Sequence, residues 1–172
     1  MSGRRVRLTA HGWERPLLIE AWEPEPPTGD GVLIRIEAAS VCHRDLIDRD
    51  GRFAFQRLPI TPGHESAGRV LAVGPGVTDF RIGDRVGTMH RDACGRCPPC
   101  LAGQTSLCGS GAAVLGLLID GTYASHIAVP QSALFPLTDE IDAAEAATLH
   151  CTFGTALHAL ETLGGLRAGE RV

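Results

Sequence analysis

Four cysteines, Cys94, Cys97, Cys100 and Cys108, form C-x2-C-x2-C-x7-C inside the segment ACGRCPPCLAGQTSLC. So dense a set of thiols in a Gly- and Pro-rich stretch dictates how that stretch can be built. It has too few apolar side chains to hold its shape by burial, whereas four thiolates gathered by tight turns match the closed tetrahedral coordination of structural Zn²⁺.

Two other uses of the thiols fit less well. Bacterial ferredoxins open on the same C-x2-C-x2-C run, but their fourth cysteine follows after three residues and precedes proline; here seven residues intervene and Gly109 follows. A disulfide framework suits small exported domains. This chain has 172 residues, and its opening MSGRRVRLTAHGW carries basic residues but no apolar segment of an export signal. The expectation is a cytoplasmic protein with reduced thiols.

Composition narrows the partners. The length allows one substantial domain, or one domain and a stub of another. No apolar run approaches a membrane span; the longest candidate, around 114–119, is far too short. A formal net charge of −4 argues against nucleic acid, which calls for a basic face. All sixteen basic residues are arginine, so Schiff-base chemistry and a P-loop lysine are excluded; with no asparagine, so is N-glycosylation.

The first two thirds read as β-structure. Residues 5–10, 17–22, 32–39, 66–73, 85–89 and 122–129 are short apolar and β-branched runs separated by turn chemistry such as PEPPTGDG and GPG. A small antiparallel barrel or sandwich is expected, with the cysteine lobe between its elements. After Pro136, TDEIDAAEAATLHCTFGTALHALETL is rich in Ala and Leu with acidic residues at its start, which predicts one or two helices closed by Gly164-Gly165. A further strand is expected to begin at Glu170-Arg171-Val172. No internal repeat or low-complexity segment is present.

The remaining cysteines sit in VCHRDL (Cys42) and LHCTFGTA (Cys151), and PGHESAG offers His64. Each alone is a weak signal, since buried cysteines are usually small hydrophobes and histidines usually structural. Together they supply three ligands and leave a fourth position open, the arrangement of a catalytic zinc. Asp45 and Glu65 are the carboxylates placed to hold the imidazole, as ligating histidines require.

In this order, a Cys, a Gly-His-Glu motif, a four-cysteine lobe and a second Cys, the chain resembles the zinc-dependent medium-chain alcohol dehydrogenase family. The resemblance spans nearly the whole sequence and uses all six cysteines. It implies a mainly β fold with helices (α+β): a GroES-like partly open barrel over residues 1–150 with the zinc lobe at 93–108, then a connecting helix and first-strand stub over 151–172. It also implies two zinc ions per chain. Cys42, His64 and Cys151 would hold the catalytic one, Glu65 would stand behind as an alternate ligand or supporting carboxylate, and Asp45 would orient His64. Cys94, Cys97, Cys100 and Cys108 would hold the structural one. His43 matches a position that contacts the cofactor pyrophosphate, and Thr155 one that packs on the nicotinamide. The implied reaction is hydride transfer between a small alcohol and an aldehyde or ketone with NAD or NADP, in an enzyme that forms homo-oligomers.

Two features depart from the family pattern. Arg44 stands where Ser or Thr passes the alcohol proton outward, and Ile47 where a relay histidine often follows. Arg44 has two readings, a contact for an anionic or thioester substrate or an ion pair with Asp48 or Asp45. The first opens an alternative, a zinc-containing enoyl or quinone-type reductase. In addition, no G-x-G-x-x-G follows a strand; GSGAAV at 109–114 lacks the third glycine. The nucleotide-binding domain is expected to begin where this chain ends, with Val172 in its first strand, which leaves the isolated chain without activity. A non-enzymatic zinc module is the alternative of another class.

Overall fold

The computed structural model describes residues 2–110 and 113–171. Gly111 and Ala112 of GSGAAV, and the strand position expected at Val172, lie outside the described residues.

Among the described residues seven strands carry the fold: β1 Gly3–Arg7, β2 Leu18–Trp22, β3 Gly31–Ala39, β4 Ser66–Val73, β5 Arg85–Thr88, β6 His126–Pro130 and β7 Leu134–Pro136. Five form one antiparallel sheet in the order β6-β3-β4-β5-β7, and β1 pairs with β2 as a separate hairpin. Register shifts in the β3–β4 ladder between Leu33 and Ile34 and between Ile36 and Ala38 bend the sheet into a partly open barrel. Its interior is β-branched and aliphatic: Val32, Ile34, Val70, Val86, Leu115, Ile127, Val129 and Leu134 are buried together.

Most expected strands form, with shifted ends. The first stops at Arg7, and the segment expected over 122–129 becomes a strand only at His126, because Tyr123 and Ser125 instead exchange backbone bonds with the hairpin: Val6 N–H donates to Tyr123 O at 2.8 Å and Ser125 N–H to Arg4 O at 2.7 Å. Glu170 and Arg171 form no strand.

Helix α1, His43–Asp50, was not expected from the sequence. Its residues HRDLIDRD carry no apolar stripe, so termini define it rather than burial. Cys42 sits extended at the N-cap, the Asp45 carboxylate accepts the Cys42 N–H at 2.8 Å, and Gly51, with φ 76°, closes the last turn.

The C-terminal helical segment follows the expectation more closely. Asp142 caps α3 (Ala143–Ala146) by accepting the Glu145 N–H at 2.8 Å. Ala146 and Ala147 pack on Ala67 of β4, which fixes where the segment leaves the barrel. The helix then widens into a π-turn over Leu149–Phe153, with Phe153 N–H reaching back to Thr148 O at 3.0 Å, and continues through α4 (Gly154–Leu157) to Gly164.

The turn before β4 is strapped to the chain at 121–123. Gly121 N–H donates to Thr61 O at 2.7 Å, Thr122 N–H to Gly63 O at 3.1 Å and Tyr123 N–H to Pro62 O at 3.0 Å. Gly63 has φ +91°, and a Cβ there would stand 2.6 Å from both Thr122 Oγ1 and the Tyr123 ring. Gly63→Ala is therefore expected to cost at least about 2 kcal/mol, from strain plus the clash, and to displace His64. Urea unfolding checks the stability, and an unchanged midpoint would contradict this account.

Candidate metal centres

In the cysteine lobe, Cys97 stands extended before the short helix α2, Pro98–Leu101, and Gly95 and Gly103 take left-handed turns at φ 68° and 75°. These turns bring the sulfurs of Cys94, Cys97, Cys100 and Cys108 within 4.8 Å of one another, and the Cys97 and Cys100 sulfurs to 3.4 Å. The Cys94 N–H donates to Cys108 Sγ at 3.4 Å and draws that thiol down to about 6, whereas burial and Cys97 push Cys100 up to about 12. Leu101 and Leu107 are exposed and Cys108 is the one buried cysteine, so the lobe has almost no core of its own. A metal ion binding four thiolates fits what this segment lacks.

Cys42, His64 and Cys151 meet from three elements, with their ligand atoms within 4.8 Å of one another. Cys42 is the N-cap of α1, His64 ends the strapped turn, and Cys151 lies on the π-turn. The Cys42 and Cys151 sulfurs are 3.9 Å apart. Tetrahedral zinc with bonds of ~2.3 Å spaces two thiolates by roughly 3.8 Å, far beyond a disulfide. His64 is fully buried and its Nε2 has no hydrogen-bond partner among the described residues. Burying such a nitrogen without a partner is costly; a metal ion between it and the two sulfurs would satisfy it. The residues fit zinc.

Asp45 orients this group. Its Oδ1 faces His64 Nδ1 at 3.2 Å, and its Oδ2 accepts the Cys42 N–H at 2.8 Å and the Tyr123 hydroxyl at 2.8 Å. Burial opposes ionisation of Asp45, but the imidazole, the Cys42 amide and the tyrosine together hold its carboxyl below the usual range. Burial and the Asp45 charge push the Tyr123 phenol far above its ordinary value, so it remains a donor. An Asp45 carboxylate at Nδ1 selects the tautomer that leaves Nε2 with a lone pair.

Glu65 is committed to the protein. Its Oε1 accepts the N–H groups of Cys151 at 2.6 Å and Thr152 at 2.7 Å, and its Oε2 accepts the hydroxyls of Ser40 at 2.6 Å and Thr152 at 3.1 Å. It thereby holds the π-turn that presents Cys151. Tyr123, Ser40 and Thr152 escaped the sequence reading. No spacing signals them, because they act across the fold on carboxylates that were themselves expected.

A cavity of about 500 Å³ opens beside Cys151, with Arg44, His90, His150, Thr155 and His158 on its wall. His90 Nδ1 and His150 Nε2 are 2.9 Å apart in a stacked pair; burial and the neighbouring His150 lower His90 to about 4. Arg44 pairs with Asp48 through Nε at 3.2 Å, one of the two ion pairs open to it, and also donates to Leu115 O. Thr155 thus joins the cavity, whereas His43 is exposed on the first turn of α1 and does not line it.

Comparison with known proteins bears on this geometry. The model of the alcohol dehydrogenase GroES-like domain matches residues 28–139. An NAD-dependent alcohol dehydrogenase of Sulfurisphaera tokodaii is 38% identical over 165 residues, covering 91% of this chain and 47% of that protein. The crystal structure of AibC matches with a TM-score of 0.91 and 36% identity over 98% of this chain and 47% of its own. A cobalt- and zinc-bound thermostable alcohol dehydrogenase from Pyrobaculum aerophilum matches with a TM-score of 0.78 and 33% identity, over 87% and 45%. The chain spans about half the length of the curated relatives it matches.

Two outcomes follow from the metal geometry. Cys97→Ser is expected to remove the zinc of the lobe and open residues 93–108 to protease while sparing the second centre; full zinc content with intact protease resistance would refute the assignment. Asp45→Asn removes the carboxylate at His64 and should weaken metal at the second centre roughly 10- to 100-fold, read by competition with a chelator. Equal affinity in the variant would take Asp45 out of that role.

Proposed function

This chain belongs to the alcohol dehydrogenase GroES-like domain family, and on that premise we propose that it is the metal- and substrate-holding part of an NAD(P)-dependent alcohol dehydrogenase. One observation carries the reading: a buried imidazole nitrogen with no partner among the described residues, directed at two sulfurs 3.9 Å apart. A zinc ion bound there supplies Lewis acidity, which lowers the pKa of an alcohol hydroxyl and polarises a carbonyl.

The protein's own groups do the positioning. Cys42, His64 and Cys151 are the ligands of this centre, and the lobe cysteines those of a second, structural zinc. Asp45 fixes the His64 tautomer, and Glu65 fixes the turn bearing Cys151. The cavity beside Cys151, with Thr155 on its wall, would receive a small alcohol, aldehyde or ketone, and a bound NAD or NADP would supply the acceptor or donor of a hydride. His43, exposed beside Cys42, meets the cofactor pyrophosphate. The 172 residues contain no glycine fingerprint for a dinucleotide, so the cofactor draws most of its affinity from elsewhere.

Purified protein is expected to contain two zinc ions per chain, with Cys151→Ser losing one of them. NAD-linked oxidation of primary and secondary alcohols by the intact gene product should disappear with that second zinc. These 172 residues alone should bind NADH no tighter than about millimolar, roughly 4 kcal/mol. A single zinc per chain, or alcohol oxidation that survives Cys151→Ser, would refute the reading; micromolar NADH binding by the 172 residues would relocate the cofactor site onto them.

A further inference from the structure

The cavity beside Cys151 has a charge asymmetry that alcohol chemistry does not require. Among the described residues no acidic side chain lines it; Arg44 is the only permanently charged one, joined by the hydroxyls of Ser106 and Thr155. An arginine loose in a cleft is a poor reader of a ligand, because ordering its long side chain costs entropy. Arg44 is held. Its Nε donates to Asp48 Oδ2 at 3.2 Å, its Nη2 donates to Leu115 O, and Asp48 is fully buried behind it. Nη1 makes no hydrogen bond among the described residues, so its donors remain uncommitted while Nε and Nη2 are anchored.

Asp48 reduces the net charge of the pair but does not use the Nη1 donors. Its other oxygen, Oδ1, is buried with no hydrogen-bond partner among the described residues, and the Arg44 and Asp48 side chains are 16% and 0% exposed, so the pair is internal rather than a surface ion pair. A preorganised guanidinium on a wall that includes Gly154, Ala159 and Leu163 favours an oxyanion, and the carbon surroundings strengthen that contact.

We propose that this cavity accepts alcohol or carbonyl substrates that carry an acidic oxyanion, a carboxylate or a phosphate, paired by Nη1 of Arg44. Arg44 is then the specificity-determining residue that separates acidic substrates from neutral ones of the same length. This deepens the dehydrogenase reading above and rests on it for the reaction, but not for the binding.

The test is titration of the zinc-loaded chain with butanoate, with propyl phosphate and with butan-1-ol, followed by NMR of the backbone amides and arginine Nε groups. The Arg44 Nε signal should move with one of the two acids, and which acid it is identifies the source of the oxyanion. Arg44→Lys, which keeps charge but loses the fork, should bind that acid about 10-fold more weakly, and Arg44→Gln combined with Asp48→Asn, which leaves no unpaired buried acid, at least as weakly. Butan-1-ol, which carries no anion, should lose less affinity in the variants than that acid does. Equal acid affinity in both variants, each shown folded by its amide spectrum, would overturn the proposal, as would failure of both acids to saturate the protein below about 10 mM, roughly 3 kcal/mol. Acid binding that vanishes on loss of the second zinc yet ignores Arg44 would place the anion on the metal and also overturn it. Conversely, Arg44-dependent binding by protein that holds a single zinc would support this site and sink the metal reading instead.

Discussion

The Asp45 carboxylate is the point at which three otherwise separate parts of the chain meet. One oxygen accepts the Cys42 amide and the Tyr123 hydroxyl, and the other faces His64. The first contact caps helix α1 and sets the direction in which Cys42 leaves the barrel. The second ties the helix to the segment that straps the turn before β4. The third orients the imidazole on that turn. Local helix chemistry and site chemistry therefore share a single side chain, and a change at this carboxylate acts on both. Burial opposes its charge, yet the donors that converge on it hold its carboxyl below the usual range.

Glu65 plays the corresponding part for the other half of the site. It is 1% exposed, and its two oxygens tie the loop at Ser40 to the turn at 151–152. Adjacent residues at the end of one strapped turn, His64 and Glu65, thus aim one group at the ligand cluster and the other at the element that supplies Cys151. The second cluster is in this way assembled by the barrel and its buried carboxylates. The four-cysteine lobe differs, because its small apolar content gives it little to pack and it offers instead four sulfurs within 4.8 Å of one another.

Much of this was legible in the residue order. The four-thiol spacing and the apolar, β-branched runs of the β3 and β4 segments follow from rules that act over a few residues, whereas Cys42, His64 and Cys151 were gathered only by the order of motifs along the whole chain. Helix α1 was not legible: HRDLIDRD lacks an apolar stripe, and its caps depend on Cys42, a residue read for other reasons. An acidic residue three places after Cys42 and Gly51 just beyond the last turn were the signals that would have found it. The strand expected from Thr122 was shortened because the Tyr123 carbonyl and the Ser125 N–H bond to the β1 hairpin, a choice only the folded chain can make.

The sequence by itself determined which residues could serve as ligands, that the four-thiol lobe has few apolar side chains to pack, and that the body would be built from β-strands, since ligand type, spacing and short apolar runs are local properties. Only the tertiary structure decided that Tyr123 reaches Asp45, that Glu65 is saturated by Ser40, Cys151 and Thr152, and that Arg44 is anchored by Asp48 at a cavity wall. The reason is physical. A buried polar group must find its partner wherever the folded chain brings one, and for Glu65 and Cys151, 86 residues apart, no local pattern carries that information.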